Sequence, residues 1–570
     1  MIAILSFKKV LVYLMVIYFM DKNKNTLKQF WHLINLNKAD IGSIYFYAIL
    51  SGILQLSVPI GIQSIIGYVL GASMVSSIYI LIFLVTLGVF IVGLLQINQM
   101  KIIEKLQQLL FVNYAFEFID KIPKIEFYKK VNYYIPEKVN RFLDINILQK
   151  GFSKLLLEIP TAIIQIIFGL ILLAIYHPIF IVFGLTLAII LTIVLYLSSQ
   201  SGLDISIKES NYKYEMVSWM QEVGKSIKAF RYNQEAELSS KNTDNIAVNY
   251  LNSRTKHFNI LLLQYKTLIA FKTFITAILL IIGVYLLINQ LWNIGEFIAA
   301  EIVILIIINS VEKLILNLDT AYDVLTSLDK LSSVIESPEE NQGSLEFSSN
   351  EISLELINFS FSYTNSHPIL KNINLKIPKN SSVCIIGNEN SGRSTLLNLL
   401  SMNYLNFTGN LLVNSIPIHN YNMNSLRKKV GICFNELEIF SGTVLENISL
   451  GRTDVTPEGI IAIAKELEFD NILQNFSQGF ETTIDANGNS LPNSIAKKII
   501  LLRTLVHHPL LLILEEPWLG IEENYKQKLI TYLLKKSLNS TVIISSNDLD
   551  FAKKCDYRFE LKNGQLEFLN

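Results

Sequence analysis

Charge is scarce in this 570-residue chain: Asp, Glu, Lys and Arg make up 17% of it, against 51% apolar residues and a mean hydropathy of +0.39. Soluble enzymes of this length carry more charge, so a membrane class leads. Neither sign is in excess, with 48 basic and 48 acidic residues. Nothing therefore points to nucleic acid or to an acidic partner. Cysteine is nearly missing too. Cys384, Cys433 and Cys555 lie in the polar C-terminal part without metal-ligand spacing. That rules out a disulfide framework and fits a reducing compartment. The length exceeds one hydrophobic core and predicts at least two domains.

Six stretches are long and apolar enough for a bilayer core of about 30 Å. They run about 41–70, 77–97, 156–176, 178–199, 260–289 and 296–316. The joints GASMVSS, Tyr176-His177-Pro178 and NQLWNIG contain no lysine or arginine, whereas the intervals 98–155 and 200–259 are rich in both. By the positive-inside rule these intervals and both termini are expected to be cytoplasmic. Both intervals show helical periodicity, as in IIEKLQQLLFVNYAFEFIDKI. Spans that continue as helices beyond the bilayer are the expectation, with ordinary amphipathic surface helices as the alternative. Four ionisable residues lie in or near the spans: Lys266, Lys272, Glu301 and Glu312. Glu301 is the pathway candidate, while Lys266, Lys272 and Glu312 are expected to snorkel to the interface.

The segment 1–36 reads as an N-terminal cytoplasmic piece. Lys8 and Lys9 precede LVYLMVIYFM, an apolar run too short to span and without a small-residue cleavage site. Met20 then opens MDKNKNTLKQFWHLI, so 1–19 is either an overextended start or an interfacial anchor. The membrane domain is placed at 37–330 and a polar linker with Pro338 and Gly343 at 331–350. From 351 to 570 short β runs alternate with helical runs, which predicts an α/β domain with a largely parallel core sheet. Asn563-Gly564 predicts a hairpin turn.

Within that domain VCIIGNENSGRSTL (383–396) reads as a buried strand, a phosphate-cradling loop from Gly387 to Ser394, and a helix. FSFSY ends in Tyr363. IFSGTVLENI spans 439–448, LPNSIAKKIILLR 491–503 and LLLILEEP 510–517, and Asn547 follows TVIISS. In this order and spacing the region resembles the ATP-binding domain of ABC transporters. Over about 37–570 the chain is similar to an ABC half-exporter, with a looser likeness to type I secretion exporters in the membrane half. The resemblance implies an all-α six-helix transmembrane domain followed by an α/β P-loop domain. It implies ATP and Mg2+ as ligands and a multi-pass location in a bacterial-type inner membrane. Tyr363 would stack on adenine. Gly387, Asn390, Ser391, Gly392, Arg393, Ser394 and Thr395 would hold phosphates, Ser394 and Glu515 the metal. Glu516 would polarise the attacking water. Asn435 and Asn547 fall at the glutamine and switch-histidine positions, and Pro492, Asn493 and Ser494 at the signature.

Several of these positions depart from the family pattern. Arg393 keeps the charge of the usual lysine as a bulky planar fork. Glu515 lengthens the usual aspartate by one methylene, and Asn435 shortens the glutamine by one carbon. Asn547 lacks an imidazole. Pro492 removes a hydroxyl and a backbone donor, while Asn493 and Ser494 add side chains where glycines allow close approach. ATP binding is expected, with hydrolysis by this chain impaired. The expected role is a subunit of an exporter working with a second half-transporter in the lipid bilayer. A heterodimer is favoured over a homodimer because the departures fall on both faces of each composite site. The alternatives are a non-transporting scaffold or nucleotide-sensing regulator, and a fully active ATPase.

Overall fold

The structure, a computed structural model, describes residues 24–71, 75–126, 135–232, 237–340, 343–363, 368–469, 472, 476–485 and 491–569; of 190–201 it describes the backbone. The questions raised by residues 1–23 lie outside it. The chain divides into two compact units that meet in sequence at Pro338 and Glu339.

The first unit is helical: α1 (Lys24–Leu36), α2 (Lys38–Gln55), α3 (Ser57–Leu70), α4 (Val75–Lys121), α5 (Ile145–Tyr176), α6 (Ile179–Lys225), α7 (Leu238–Ile288) and α8 (Ile294–Ile335). Among the described residues five helical stretches are long and apolar enough to cross a membrane. The expected fourth span, 178–199, falls in α6, whose apolar part is described as far as Ile189. Helices α4, α6 and α7 have 47, 47 and 51 residues. At about 1.5 Å per residue each is more than twice the thickness of a bilayer core. The intervals expected to continue helically therefore do so, interrupted between 121 and 145 and between 225 and 238.

One expected span is broken. The stretch 41–70 divides at Leu56, between α2 and α3. Pro59 explains the break: in a continuous helix its ring would meet the carbonyl of Gln55. Here it sits in the first turn of α3, where its missing N–H costs no hydrogen bond. At the other end, α8 runs five residues into the stretch read as linker.

Helix α8 packs along α5. A Cβ on Gly151 would lie 2.5 Å from Val324 Cγ2, and one on Gly169 2.9 Å from Ile307 Cγ1. These glycines let the two backbones approach. Helix α8 opens with a capping box, Asn293 Oδ1 accepting from the Glu296 N–H at 2.8 Å and Glu296 Oε2 from the Asn293 N–H at 2.9 Å. Just before it, buried Trp292 stacks on Phe180 at 5.6 Å and donates to the Tyr176 carbonyl at 3.3 Å. The joint between the last two spans is thereby pinned to the joint between the third and fourth. Lys272 and Glu312 form an ion pair rather than standing as separate charges.

Among the described residues the second unit contains a six-stranded sheet, a four-stranded sheet and a two-stranded ribbon of Gly442–Thr443 with Thr483–Ile484. The longer strands are β1 (Leu354–Phe361), β2 (Leu370–Ile377), β3 (Ser382–Gly387), β4 (Thr408–Val413), β5 (Val430–Cys433), β6 (Leu511–Glu515), β7 (Thr541–Ser545), β8 (Tyr557–Lys562) and β9 (Gln565–Leu569). The core sheet has the order β9-β8-β3-β7-β6-β5 and is parallel except for the β8–β9 hairpin. Asn563 (φ 51°) and Gly564 (φ 79°) close that hairpin, as a two-residue turn of this type demands. Strands β2, β1 and β4, with the short strand Ile416–Pro417 beside β4, make an antiparallel sheet. Helices α9 (Arg393–Leu400), α10 (Asn493–Leu505) and α11 (Glu523–Lys536) belong to the same unit.

Candidate functional site

Strand order makes the site. β3, β7 and β6 are neighbours and parallel, so their carboxyl ends open at one edge of the sheet, where ligands of such sheets bind. β3 ends at Gly387, β6 at Glu515 and β7 at Ser545. The three following segments, far apart in sequence, meet there.

From β3 the chain turns through Asn390 (φ 63°) and Gly392 (φ 100°) into α9. Asparagine and glycine are the residue types that enter the left-handed region most readily. At Gly387 an added Cβ would lie 2.7 Å from the Leu561 carbonyl and 2.8 Å from Ser391 Oγ. The start of α9 presents backbone N–H groups, and a helix N-terminus attracts anions. Ser391 Oγ is buried with no hydrogen-bond partner. A hydroxyl in that state is costly unless a ligand or water completes it. Thr395, also buried, shares a 3.3 Å hydrogen bond with the Tyr363 hydroxyl. The Tyr363 ring stands edge-on to Phe361 at 5.0 Å and to Tyr404 at 5.8 Å and stays 40% exposed. Burial first, then the hydrogen bond with Tyr363, pushes the Tyr404 hydroxyl up to about 12, so the Tyr404 phenol stays neutral at physiological pH.

The charged groups of the site are paired with one another. Ser394 Oγ donates to Glu515 Oε1. Arg393 Nη1 donates to Asn547 Oδ1 at 3.0 Å and lies 3.8 Å from Glu516 Oε1. Asn547 Oδ1 also accepts from the Gly387 N–H at 3.2 Å. Glu516 is held from two sides, by Ser546 Oγ at 2.7 Å and by the Asn547 N–H at 3.2 Å. Its backbone is left-handed, with φ 38°, an unusual state for glutamate that its surroundings maintain.

Residues 370–519 match the family model described as ABC transporter. A solved structure titled "Structure of a bacterial Atm1-family ABC exporter with ATP bound" superposes with a TM-score of 0.80 over 93% of this chain and 94% of that one, at 17% identity. The chain carries an ABC transporter domain on an ABC-exporter fold. Similar curated proteins include ATP-binding cassette sub-family B member 5 of Homo sapiens, 30% identical over 43% of this chain and 19% of that protein. Another is the putative multidrug export ATP-binding/permease protein YgaD of Bacillus subtilis, 30% identical over 37% of each. The matches to the first curated relatives span from 16% to about half of their lengths.

The ABC domain fits a phosphate chain on two of its own features, the orphaned Ser391 hydroxyl and the glycine cradle at Gly387 and Gly392. Ser394 and Glu515 offer the hard oxygen donors that magnesium takes, one or two from protein and the rest from phosphate and water. Gly387, Asn390, Ser391, Gly392, Arg393, Ser394, Thr395, Tyr363, Glu515, Glu516 and Asn547 fall in one region. Asn435 follows β5, next to β6, and is exposed, with no hydrogen bond to Glu515, Glu516 or Asn547 among the described residues. Pro492 is the N-cap of α10. Among the described residues no hydrogen bond or ion pair joins it, Asn493 or Ser494 to the phosphate loop. Ser546 and Tyr404 are absent from the sequence reading. Their places depend on strand order and ring packing, and the one local signal is that Ser546 directly precedes Asn547.

Proposed function

We propose that this chain is one half of an exporter in which nucleotide binding at the ABC domain is coupled to passage of a substrate across the membrane. The observation that carries this is the phosphate loop with its orphaned Ser391 hydroxyl, in a chain that among its described residues also holds five bilayer-length helices. Export rather than import is supported by the fold and by relatives whose names describe multidrug export.

ATP, with magnesium, supplies a phosphoanhydride whose binding and cleavage can drive a change of shape. The backbone N–H groups of 388–395, the Ser391 hydroxyl and Arg393 would hold its phosphates, with Ser394 and Glu515 at the metal and Tyr363 against the base. Glu516 would orient and polarise water. With Asn547 in place of an imidazole and Pro492-Asn493-Ser494 at the signature, we read the chain as binding ATP and hydrolysing it slowly. The absent electrostatic contacts are each of a kind worth roughly 2–4 kcal/mol of barrier.

A composite site formed by two copies would combine Arg393 with Pro492-Asn493-Ser494 twice. A different half-transporter as partner supplies an intact loop to one site and an intact signature to the other, so a heterodimer is the favoured assembly, in an inner membrane with both termini cytoplasmic. The test is equilibrium binding of a fluorescent ATP analogue to the purified full chain. Binding that weakens at least about tenfold on Ser391→Ala, which removes a buried hydroxyl donor to an anionic phosphate, supports the reading; a chain that takes no nucleotide refutes it.

A further inference from the structure

We infer, resting on the reading of this site as a nucleotide site, that Arg393 sets its specificity: the site prefers a nucleoside diphosphate to a triphosphate. Arg393 is not a spare cation. Its side chain is 16% exposed, and Nη1 is committed to Asn547 Oδ1 at 3.0 Å and to Glu516 Oε1 at 3.8 Å. Both partners are fixed. Asn547 is tied through the same oxygen to the Gly387 N–H, and Glu516 is held by Ser546 Oγ and the Asn547 N–H. The guanidinium thus bridges the phosphate loop to the two positions that would face the far end of a bound phosphate chain.

A third phosphoryl group brings roughly one more negative charge and needs a cation. If the guanidinium turns to meet it, Glu516 keeps two hydrogen bonds but loses its counter-ion, beside a newly arrived like charge. If the guanidinium stays, it occupies the space. The cost falls on the third phosphate in either case. The first two phosphates draw on groups outside this bridge: the N–H groups at the start of α9, the Ser391 hydroxyl, and Ser394 with Glu515. A lysine would not act in the same way. Its compact ammonium rotates among partners, whereas the planar fork is oriented by its hydrogen bond to Asn547 Oδ1, with Glu516 as counter-ion.

The test is titration of ADP and of the β,γ-imido analogue of ATP, each with Mg2+, into the full-length chain in lipid nanodiscs. Wild type, Glu516→Gln and Arg393→Lys are compared. Wild type is expected to bind ADP at least about tenfold more tightly than the analogue. Glu516→Gln removes the charge but not the hydrogen-bonding shape, so it is expected to bring the two within about threefold by tightening the analogue. Arg393→Lys is expected to narrow the gap as well. Equal affinities in wild type, or a preference unchanged in Glu516→Gln, would overturn the inference while leaving the nucleotide site standing. If neither nucleotide binds, the reading of the site fails and takes the inference with it.

Discussion

Arg393 and Asn547, 154 residues apart in sequence, are hydrogen-bonded partners at 3.0 Å. Under the proposed reading both fall at positions that depart from the ABC pattern, and the contact means that neither acts alone. Arg393→Lys leaves Asn547 Oδ1 with the Gly387 N–H alone, and Asn547→His removes the acceptor that holds the guanidinium. In a double-mutant cycle read by nucleotide affinity, the two changes are expected to couple by about 0.5–3 kcal/mol. Additive effects would show that the contact is inert.

The approach of α5 to α8 depends on Gly169. An added Cβ lies 2.9 Å from Ile307 Cγ1, so Gly169→Val must push the helices apart. Overpacking of this kind costs about 1–3 kcal/mol. The expected result is a lower thermal midpoint for the chain in detergent, partly recovered by Ile307→Ala. An unchanged midpoint would mean the two helices are not in close contact there.

Lys272 and Glu312 are expected to depend on each other. Removing either charge leaves the other without its partner in a segment where an isolated charge costs roughly 2.5–3.5 kcal/mol. Lys272→Met and Glu312→Gln should each reduce membrane yield more than the combined variant does. Independent, additive losses would contradict the pairing.

Asp548 links the end of β7 to acid stability. It caps the helix Leu549–Lys554, accepting from the Asp550 and Phe551 N–H groups at 3.0 and 2.9 Å, and pairs with Lys526 at 2.7 Å. Burial would raise its carboxyl. The Lys526 ammonium and the helix N–H donors outweigh that and hold it below the usual range. A depressed carboxyl binds its proton more weakly folded than unfolded. Its stabilisation is therefore complete above the unfolded value of about 3.9 and lost as pH falls through the folded one. Asp548→Ala should cost about 1 kcal/mol at neutral pH, and the deficit should shrink below pH 4. A pH-independent deficit would assign the loss to packing.

The parts of the fold legible in the sequence are those written locally. Buried runs such as VCIIG and LLILE, the glycines at 387 and 392, and Asn563-Gly564 each constrain their own neighbourhood, and the structure places them as expected. What was not legible depends on other segments. The break at Leu56 sits inside a long, mostly apolar stretch, between Gln55 and Ser57, and Pro59 is its clearest signal. The Lys272–Glu312 pair needs α7 beside α8. The bridge from Arg393 to Glu516 and Asn547 exists because β7 inserts between β3 and β6, an order that no motif spacing encodes. Ser546 went unread for the same reason.

Steady-state ATP turnover by the purified chain alone, in lipid and with magnesium, tests the account most directly. Under the proposed reading, a chain that binds nucleotide should turn it over no faster than its Glu516→Gln variant by more than a few fold, since the contacts that reading takes to be absent are of a kind worth about 10²–10³ each in rate. Rapid turnover abolished by Glu516→Gln would contradict the reading of a binding site with weak hydrolysis.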